Sequence, residues 1–587
     1  MPIQYKITVK DPQAHVFLVE MAIANVHEGE LVLMLPAWLP GSYMIRDMAS
    51  DLSDVRALVD GKAWAIGKID KTSWHLTVPA GTREVRIAYS VFTQDRSVRR
   101  AYLDTRRGFF NASSLCLAAL GYRNRPVTIR IKAPSEYCKK WSLATTLEPE
   151  NVDKKGFGTY RAAHYEDLID HPVEMGAWEA IDFVAAGVPH RIIVSGAGLD
   201  FDRERLRLDV TKACESVIAF FEPQSKKPPF KRYDFYLNLS AADYGGLEHA
   251  DSTALIASRF DLPQADTGDD DEDYVRLLGL FCHEYFHAWW VKRIKPAAFI
   301  PYNLATETYT NLLWVFEGFT SYYDHLLLLR AGLISRQTYL KELARTMTRH
   351  LSAAARRHQT LAESSFDAWI KYYKLRTNRN NAVVSYYDKG ALVAFALDAL
   401  IRHETQAARS LDDVLRFAWE GFKSAGDDYA GMEEHEVGHL IYEAVGVAVD
   451  KKLDRWVYGC DEPDYEKLLR QQGVEFGQKP LPLVRSMLGL TLGADSALGI
   501  RSVDEDGPAQ KAGLSVGDEL VAIEGLKVNK SNLEKMLKRL AVKKRLRVHV
   551  FRDDCLMEFD VQAEPAAVFE VELKLNNAEL GYGFLGK

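Results

Sequence analysis

The feature that most constrains this chain is a histidine pair inside an apolar helical pattern. Positions 283 to 287 read His-Glu-Tyr-Phe-His within Asp273 to Trp290, a stretch whose hydrophobic residues recur at helical spacing. A four-residue step puts both imidazoles on one helix face, where they reach a single metal ion. Glu284 then stands beside the position that a catalytic zinc keeps open for water, so a third protein ligand has to come from elsewhere. Glu317 in WVFEGFTSYY is the best candidate. It sits in the next apolar helical pattern, Leu312 to Arg330, among Trp314, Phe316, Phe319 and Tyr322, where a carboxylate without a cation is costly to bury. One zinc per chain is therefore expected, held by His283, His287 and Glu317. The plainer alternative, a surface helix with chance histidines, fits poorly with so apolar a setting.

A second match, His435-Glu436-Val437-Gly438-His439, competes with the first. Its helical pattern, Glu433 to Ala444, contains a helix-weakening glycine and leads into VGVAVDKKLD rather than another apolar helix carrying a carboxylate. Glu443 lies on the same helix, not opposite it. A solvated helix without metal is expected there.

The rest of the chain frames this centre. At 587 residues it exceeds what one core supports, and 47% hydrophobic with 26% charged residues is an ordinary globular balance. Short β-rich runs (YKITVK, HVFLVEMAIANV, LVLMLP, VRIAYSVF, VTIRIKAP) recur between Gly, Pro and Asp breaks up to about residue 180, which predicts an antiparallel β-domain. Helical patterning follows, with further helices at Ser335 to Arg357 and Lys389 to His403. A small sheet opens this helical centre, built from KRYDFYLNLS and a single strand in LEHADSTALIASRF. DLPQADTGDDDEDY reads as a solvated loop ending in a helix N-cap, without a functional role. The expected fold class is multidomain α+β, with domains at 1–180, 181–474 and 475–587. In the last of these, GPAQKAGLSVGDELVAIEG looks like a PDZ signature. Such domains add an extended peptide or a peptide C-terminus to a sheet edge, with Leu488-Gly489-Leu490 the candidate carboxylate-binding loop. A purely structural module is the alternative.

A net charge of -7 supplies no global field for a phosphate backbone, so nucleic acid is not an expected partner. Six scattered cysteines, Cys116, Cys138, Cys214, Cys282, Cys460 and Cys555, contain no CxxC pair and read as free thiols. With no basic segment leading an apolar core at the N-terminus and no run of bilayer-spanning length, the expectation is a cytoplasmic protein without a membrane partner.

The motifs LPAWLPGSYMIRD (35 to 47), YGGLEHADS (244 to 252), HEYFHAWWVKRIKP (283 to 296), WVFEGFTSYYD (314 to 324) and YYDKGALVAF (386 to 395) together resemble the glycyl aminopeptidase family. Its relatives include the aminopeptidase N and leukotriene hydrolase group. The resemblance implies a thermolysin-like, mostly helical catalytic domain followed by a PDZ-like domain, and the family name suggests small first residues such as Gly or Ala. In its register, GFTSYY places the third ligand at Glu317 rather than at Glu307 in the longer intervening segment, and no metal is assigned to the second HExxH. It also implies that Tyr387 donates to the oxyanion, with Tyr386 as the adjacent choice; a core aromatic at a helix start is the plain alternative.

An aminopeptidase also needs a fixed carboxylate for the substrate ammonium. Glu248 in GGLEH is the candidate and corresponds to the glutamate of the relatives' amine-binding motif, while Gly245 and Gly246 let backbone approach the peptide. A tight turn with an exposed glutamate is the bland reading, and turn hydrogen bonding explains His249 equally well. The expected activity is zinc-dependent removal of amino-terminal residues from peptides, Glu284 taking a proton from water and passing it to the leaving amine. Two alternatives remain. One is a PDZ-type peptide binder with a non-catalytic metal site, which Glu284 and Tyr387 argue against; the other is a zinc endopeptidase, distinguished by activity on amino-blocked peptides.

Overall fold

Alternation builds the first sheet. In Ile3–Asp11 and Val16–Ala24 every second residue (Ile3, Tyr5, Ile7; Phe17, Val19, Met21, Ile23) is buried, so one face of each strand lies on the core. The computed structural model describes residues 1–134, 140–374, 376–493, 498–563 and 569–576. It is a mixed α+β protein with a β-rich N-terminal domain, a central helical region and a C-terminal PDZ domain. Its contacts divide the chain into two units: Met1–Thr308 with Arg330–Ile334 and Ala418–Glu433, and Tyr309–Leu329 with Ser335–Phe417 and Glu434–Lys587.

The first unit holds an eight-stranded sheet around the pair Ile3–Asp11 and Val16–Ala24. Antiparallel pairing prevails there as expected, with one exception: Ile3–Asp11 runs parallel to Val127–Ile131. The same unit contains a five-stranded sheet ordered Glu179–Ala185, Val188–Ser195, Tyr233–Ser240, Ser252–Ser258, Gly245–Glu248. Tyr233–Ser240 is parallel to both neighbours and its first five residues are buried, because a central parallel strand is covered on both faces. LEHADSTALIASRF departs from expectation. It forms two strands, Gly245–Glu248 and Ser252–Ser258, antiparallel across a turn at 249–251, and the first is the edge of the sheet.

Two helices back this sheet. Glu272–Phe286 is capped by Asp271, whose side chain accepts from the Tyr274 N–H, as the acidic loop before it suggested. Arg203–Phe221 has no counterpart in the expected elements, although the Asp202 cap and the apolar series Leu206, Val210, Ala213, Val217 and Phe221 carried a readable signal. Phe221 joins it to the histidine-bearing segment, 4.8 Å from Phe286 and stacked 5.2 Å from Trp289.

His190 is sealed between these layers. Its Nδ1 donates to the Val188 carbonyl at 2.8 Å, which leaves Nε2 to accept from the Tyr285 hydroxyl at 2.8 Å. Burial pushes its pKa down from 6.5 to about 4. An unfolded chain takes up this proton near 6.5 whereas the folded one holds the ring neutral, so stability is lost as pH falls from 6.5 toward 4. Urea midpoints across that range are expected to fall more steeply in the parent than in His190→Gln, by up to roughly 3 kcal/mol; parallel slopes would remove His190 as the cause.

In the second unit, Phe319–Arg330 follows a π-helical turn, Trp314–Gly318. Asp388–Glu404 crosses it at a glycine pair: a Cβ built on Gly318 would lie 2.5 Å from the Gly390 Cα, a separation no larger residue permits. Arg336–Leu351 starts at its Ser335 cap but stops short of the expected Arg357, because Ala353 is extended (φ -91, ψ 127) and opens a separate 3-10 turn, Ala354–Arg357. Val474–Pro480 pairs with Phe569–Leu575, flanking a PDZ core that includes Leu488, Leu490, Ile500, Leu520, Val548 and Val550. Gly489 of the Leu488-Gly489-Leu490 segment sits at φ +69, just after the helix Leu483–Leu488, and its carbonyl accepts from the Asp504 N–H at 2.7 Å.

Cys116, Cys214, Cys282, Cys460 and Cys555 are free thiols, and Cys138 lies outside the described residues. Among the described residues no helix is long and apolar enough to cross a membrane.

Candidate metal and peptide site

The His-Glu-Tyr-Phe-His segment occupies the last turn of Glu272–Phe286, with His287 as the C-cap residue, still helical at φ -62 and ψ -17. The four-residue step therefore holds, and the two imidazoles lie 4.8 Å apart at 86°. The His287 Nδ1 is 2.9 Å from the Trp290 carbonyl. A carbonyl only accepts, so Nδ1 carries the proton and Nε2 carries the lone pair, the tautomer and orientation that a metal ligand requires.

Glu317 lies in the π-helical turn and is 2% exposed. Among the described residues one group of His, Cys, Asp and Glu side chains is arranged to hold a metal ion, namely His283, His287 and Glu317, with one ligand atom from each lying within 4.8 Å of the others. Two imidazoles and one carboxylate form a donor set suited to zinc with a coordination position left over, so the residues present fit the ion. Glu307 is not in that group.

The second HExxH is built differently. Its helix is Val437–Val445 rather than one starting at Glu433, so His435 and Glu436 precede it and the shared helix face is lost. Glu434 is occupied in the turn before, accepting from the Thr310 hydroxyl at 2.7 Å and the Asn311 N–H at 2.8 Å. His435 and His439 are both exposed.

Next to the histidine helix runs the edge strand Gly245–Glu248. A Cβ on Gly246 would lie 2.1 Å from Glu284 Oε1, so this backbone rests directly against the Glu284 carboxylate and only glycine fits; Gly245 adopts φ +153. At the far end of the strand Glu248 is 4% exposed and its Oε1 has no hydrogen-bond partner among the described residues. The exposed turn glutamate of the bland reading is therefore absent.

Gly41 closes over Glu248. At φ +90, a Cβ there would fall 2.6 Å from one carboxylate oxygen and 2.7 Å from the other. The LPGSYMIRD motif of the β-rich domain thus forms one wall around this carboxylate, anchored nearby by the Trp38 indole N–H donating to the Asn303 carbonyl at 2.8 Å.

Asp170, which no sequence pattern singled out, organises the turn after Glu248. It accepts from the Lys292 ammonium at 2.6 Å and the Ala250 N–H at 3.1 Å, and it faces His249 Nδ1 at 3.1 Å. Burial opposes its ionisation, yet Lys292 and His249 together hold its carboxyl well below the usual range. Burial likewise opposes charge on Lys292, and Asp170, Tyr302 and Glu248 outweigh it, keeping the ammonium protonated. His249 is thereby a structural member of the turn.

Tyr387 precedes the helix Asp388–Glu404 and is half-buried, whereas Tyr386 is fully buried. Burial, reinforced by the Glu317 carboxylate, raises the Tyr387 pKa well above that of an ordinary phenol, so the hydroxyl stays a proton-bearing donor. It lies 2.9 Å from the Tyr373 hydroxyl, a second aromatic partner that sequence reading missed.

Similarity to known proteins follows the same layout. Residues 4–177 match the Peptidase M61 N-terminal domain, 276–393 the M61 glycyl aminopeptidase and 486–563 a PDZ domain. The crystal structure of an aminopeptidase N family protein from Idiomarina loihiensis aligns over 100% of both chains at 33% identity with a TM-score of 0.94. The M1 zinc metallopeptidase from Deinococcus radiodurans aligns more remotely, over 79% of this chain and 94% of its own at 15% identity and a TM-score of 0.46, and lends no weight to the assignment. No curated protein matches. A relative at 33% identity along the whole chain, with three domain matches in matching order, establishes that this protein belongs to the M61 glycyl aminopeptidase family.

Proposed function

We propose that this protein is a zinc-dependent aminopeptidase that removes residues from the amino termini of peptides, small ones such as Gly or Ala among them. The observation that carries the aminopeptidase reading is Glu248 Oε1, a buried carboxylate oxygen without a hydrogen-bond partner on the strand that also abuts Glu284. Leaving such a group unpaired is costly, and a substrate ammonium would satisfy it by a charge-assisted bond.

His283, His287 and Glu317 would hold one zinc ion per chain, which would supply a Lewis acid for the scissile carbonyl and lower the pKa of water. The side chains do the rest. Glu248 receives the ammonium and sets which peptide bond is presented. Gly245 and Gly246 let the peptide backbone lie against the strand. Glu284 accepts the proton of the attacking water and returns it to the departing amine. The Tyr387 hydroxyl donates to the oxygen on which negative charge develops. The PDZ domain is suited to hold an extended segment or C-terminus of a peptide.

Glu248→Ala tests the substrate end. On free-amine substrates kcat/KM is expected to drop by the equivalent of about 2–5 kcal/mol, the usual cost of truncating one side of a buried charge pair. Amino-acetylated peptides are expected to be poor substrates of both chains and to show no such loss. Equal losses on the two substrate classes would favour the endopeptidase alternative.

A further inference from the structure

We infer that the edge strand leads the downstream part of the substrate into a cationic cavity, so that this enzyme selects peptides bearing a carboxylate two to four residues from the amino terminus. This rests on the aminopeptidase reading. The polarity of the strand gives the direction. A peptide whose ammonium sits at Glu248 must cross Gly246, where Glu284 lies, and it does so only by running from the Glu248 end of the strand toward Gly245. An extended chain advances about 3.3 Å per residue, so three residues span the strand. Its following residues arrive at Gly245, whose sheet partner is Ile256, and at the 240–243 segment that leads into the strand.

Ile256, Ser240, Ala241 and Asp243 line a cavity of about 650 Å³. Its charged lining is five cations, Arg96, Arg106, Arg107, Lys140 and Arg259, against two carboxylates, Asp104 and Asp243. Arg107 is neutralised by Glu174 in a two-bond pair at 2.8 and 2.7 Å. Arg106 faces Asp104 at 3.4 Å. A cationic excess persists in a chain whose net charge is -7.

Arg99 stands between the two regions. One guanidinium nitrogen donates to the Gly246 carbonyl at 3.0 Å, another would meet a Cβ on Gly245 at 3.5 Å, and Nε is buried without a hydrogen-bond partner among the described residues. A guanidinium held against the strand with an unused N–H is placed to receive an acidic group on the passing peptide. The carboxylate is either an acidic side chain or the C-terminus of a short peptide.

The test uses the full chain carrying Glu284→Gln, loaded with zinc, and titration calorimetry at low ionic strength with Ala-Ala-Glu-Glu-amide, Ala-Ala-Lys-Lys-amide, Ala-Ala-Gln-Gln-amide and Ala-Ala-Gln-Gln with a free carboxylate. The acidic amide is expected to bind at least about tenfold more tightly than the lysine amide, with the gap narrowing as salt screens it. Comparing the two Gln peptides shows whether the C-terminal carboxylate is also read. Adding Arg96→Gln and Arg259→Gln, or Arg99→Gln alone, is expected to bring the Glu-to-Lys ratio toward one. Affinities within twofold in the Glu284→Gln chain, or a ratio unmoved by all three arginine substitutions, would overturn the inference. Absence of turnover in the parent chain would instead count against the aminopeptidase reading, while the binding ratio still decides this one.

Discussion

Replacing Glu284 with Gln is expected to abolish hydrolysis, lowering kcat by about 10²–10⁴-fold or more, while zinc content stays near one per chain. The substitution keeps the shape of the side chain, so its packing against the Gly246 backbone survives. It removes only the capacity to hold a proton. His283, His287 and Glu317 are untouched, so metal analysis separates loss of base from loss of metal. Because the carboxylate lies against the strand proposed to carry the substrate, no rearrangement is needed to bring it to the scissile bond. Substantial residual turnover by a zinc-loaded Glu284→Gln chain would mean that another group takes the proton.

Glu317→Ala is expected to empty the metal site, with zinc content after dialysis falling from one per chain to near zero and activity falling with it. Three protein ligands are the minimum for a catalytic zinc, and loss of an inner ligand exceeds the 10–100-fold affinity cost typical of an outer partner. Glu317 has little freedom to be replaced by a neighbour. It sits in a π-helical turn whose following glycine, Gly318, is pressed on Gly390, and the backbone N–H of Trp314 in that turn donates to the Ser365 hydroxyl oxygen at 3.0 Å. Such a turn offsets one residue from the regular helical ladder and is frequent at functional sites. Glu307→Gln serves as the control and is expected to keep its zinc; metal loss in that variant and retention in Glu317→Ala would transfer the ligand to the intervening loop.

What was legible in the sequence was whatever short-range geometry dictates. An i, i+4 pair on a strongly apolar helix shares a face wherever that helix ends up, so His283 and His287 needed no tertiary information. The Asp271 cap and the β-rich first domain were readable for the same reason, since capping and two-residue alternation are local, whereas the PDZ domain was readable from the likeness of GPAQKAGLSVGDELVAIEG to a PDZ signature. Local reading failed at segment ends: Glu433 and Glu434 extended a helical pattern on paper, but Glu434 is taken up by Thr310 and Asn311 and the helix starts at Val437.

Tertiary structure alone decided the surroundings of the chemistry. Gly41 against Glu248, Arg99 on Gly246, Asp170 beneath His249, and Gly318 on Gly390 join residues dozens to more than two hundred positions apart. None of these pairings has a period or a spacing that a sequence displays. They follow from how strands register and helices cross, and a backbone brought within van der Waals contact of a carboxylate is a property of the packed chain.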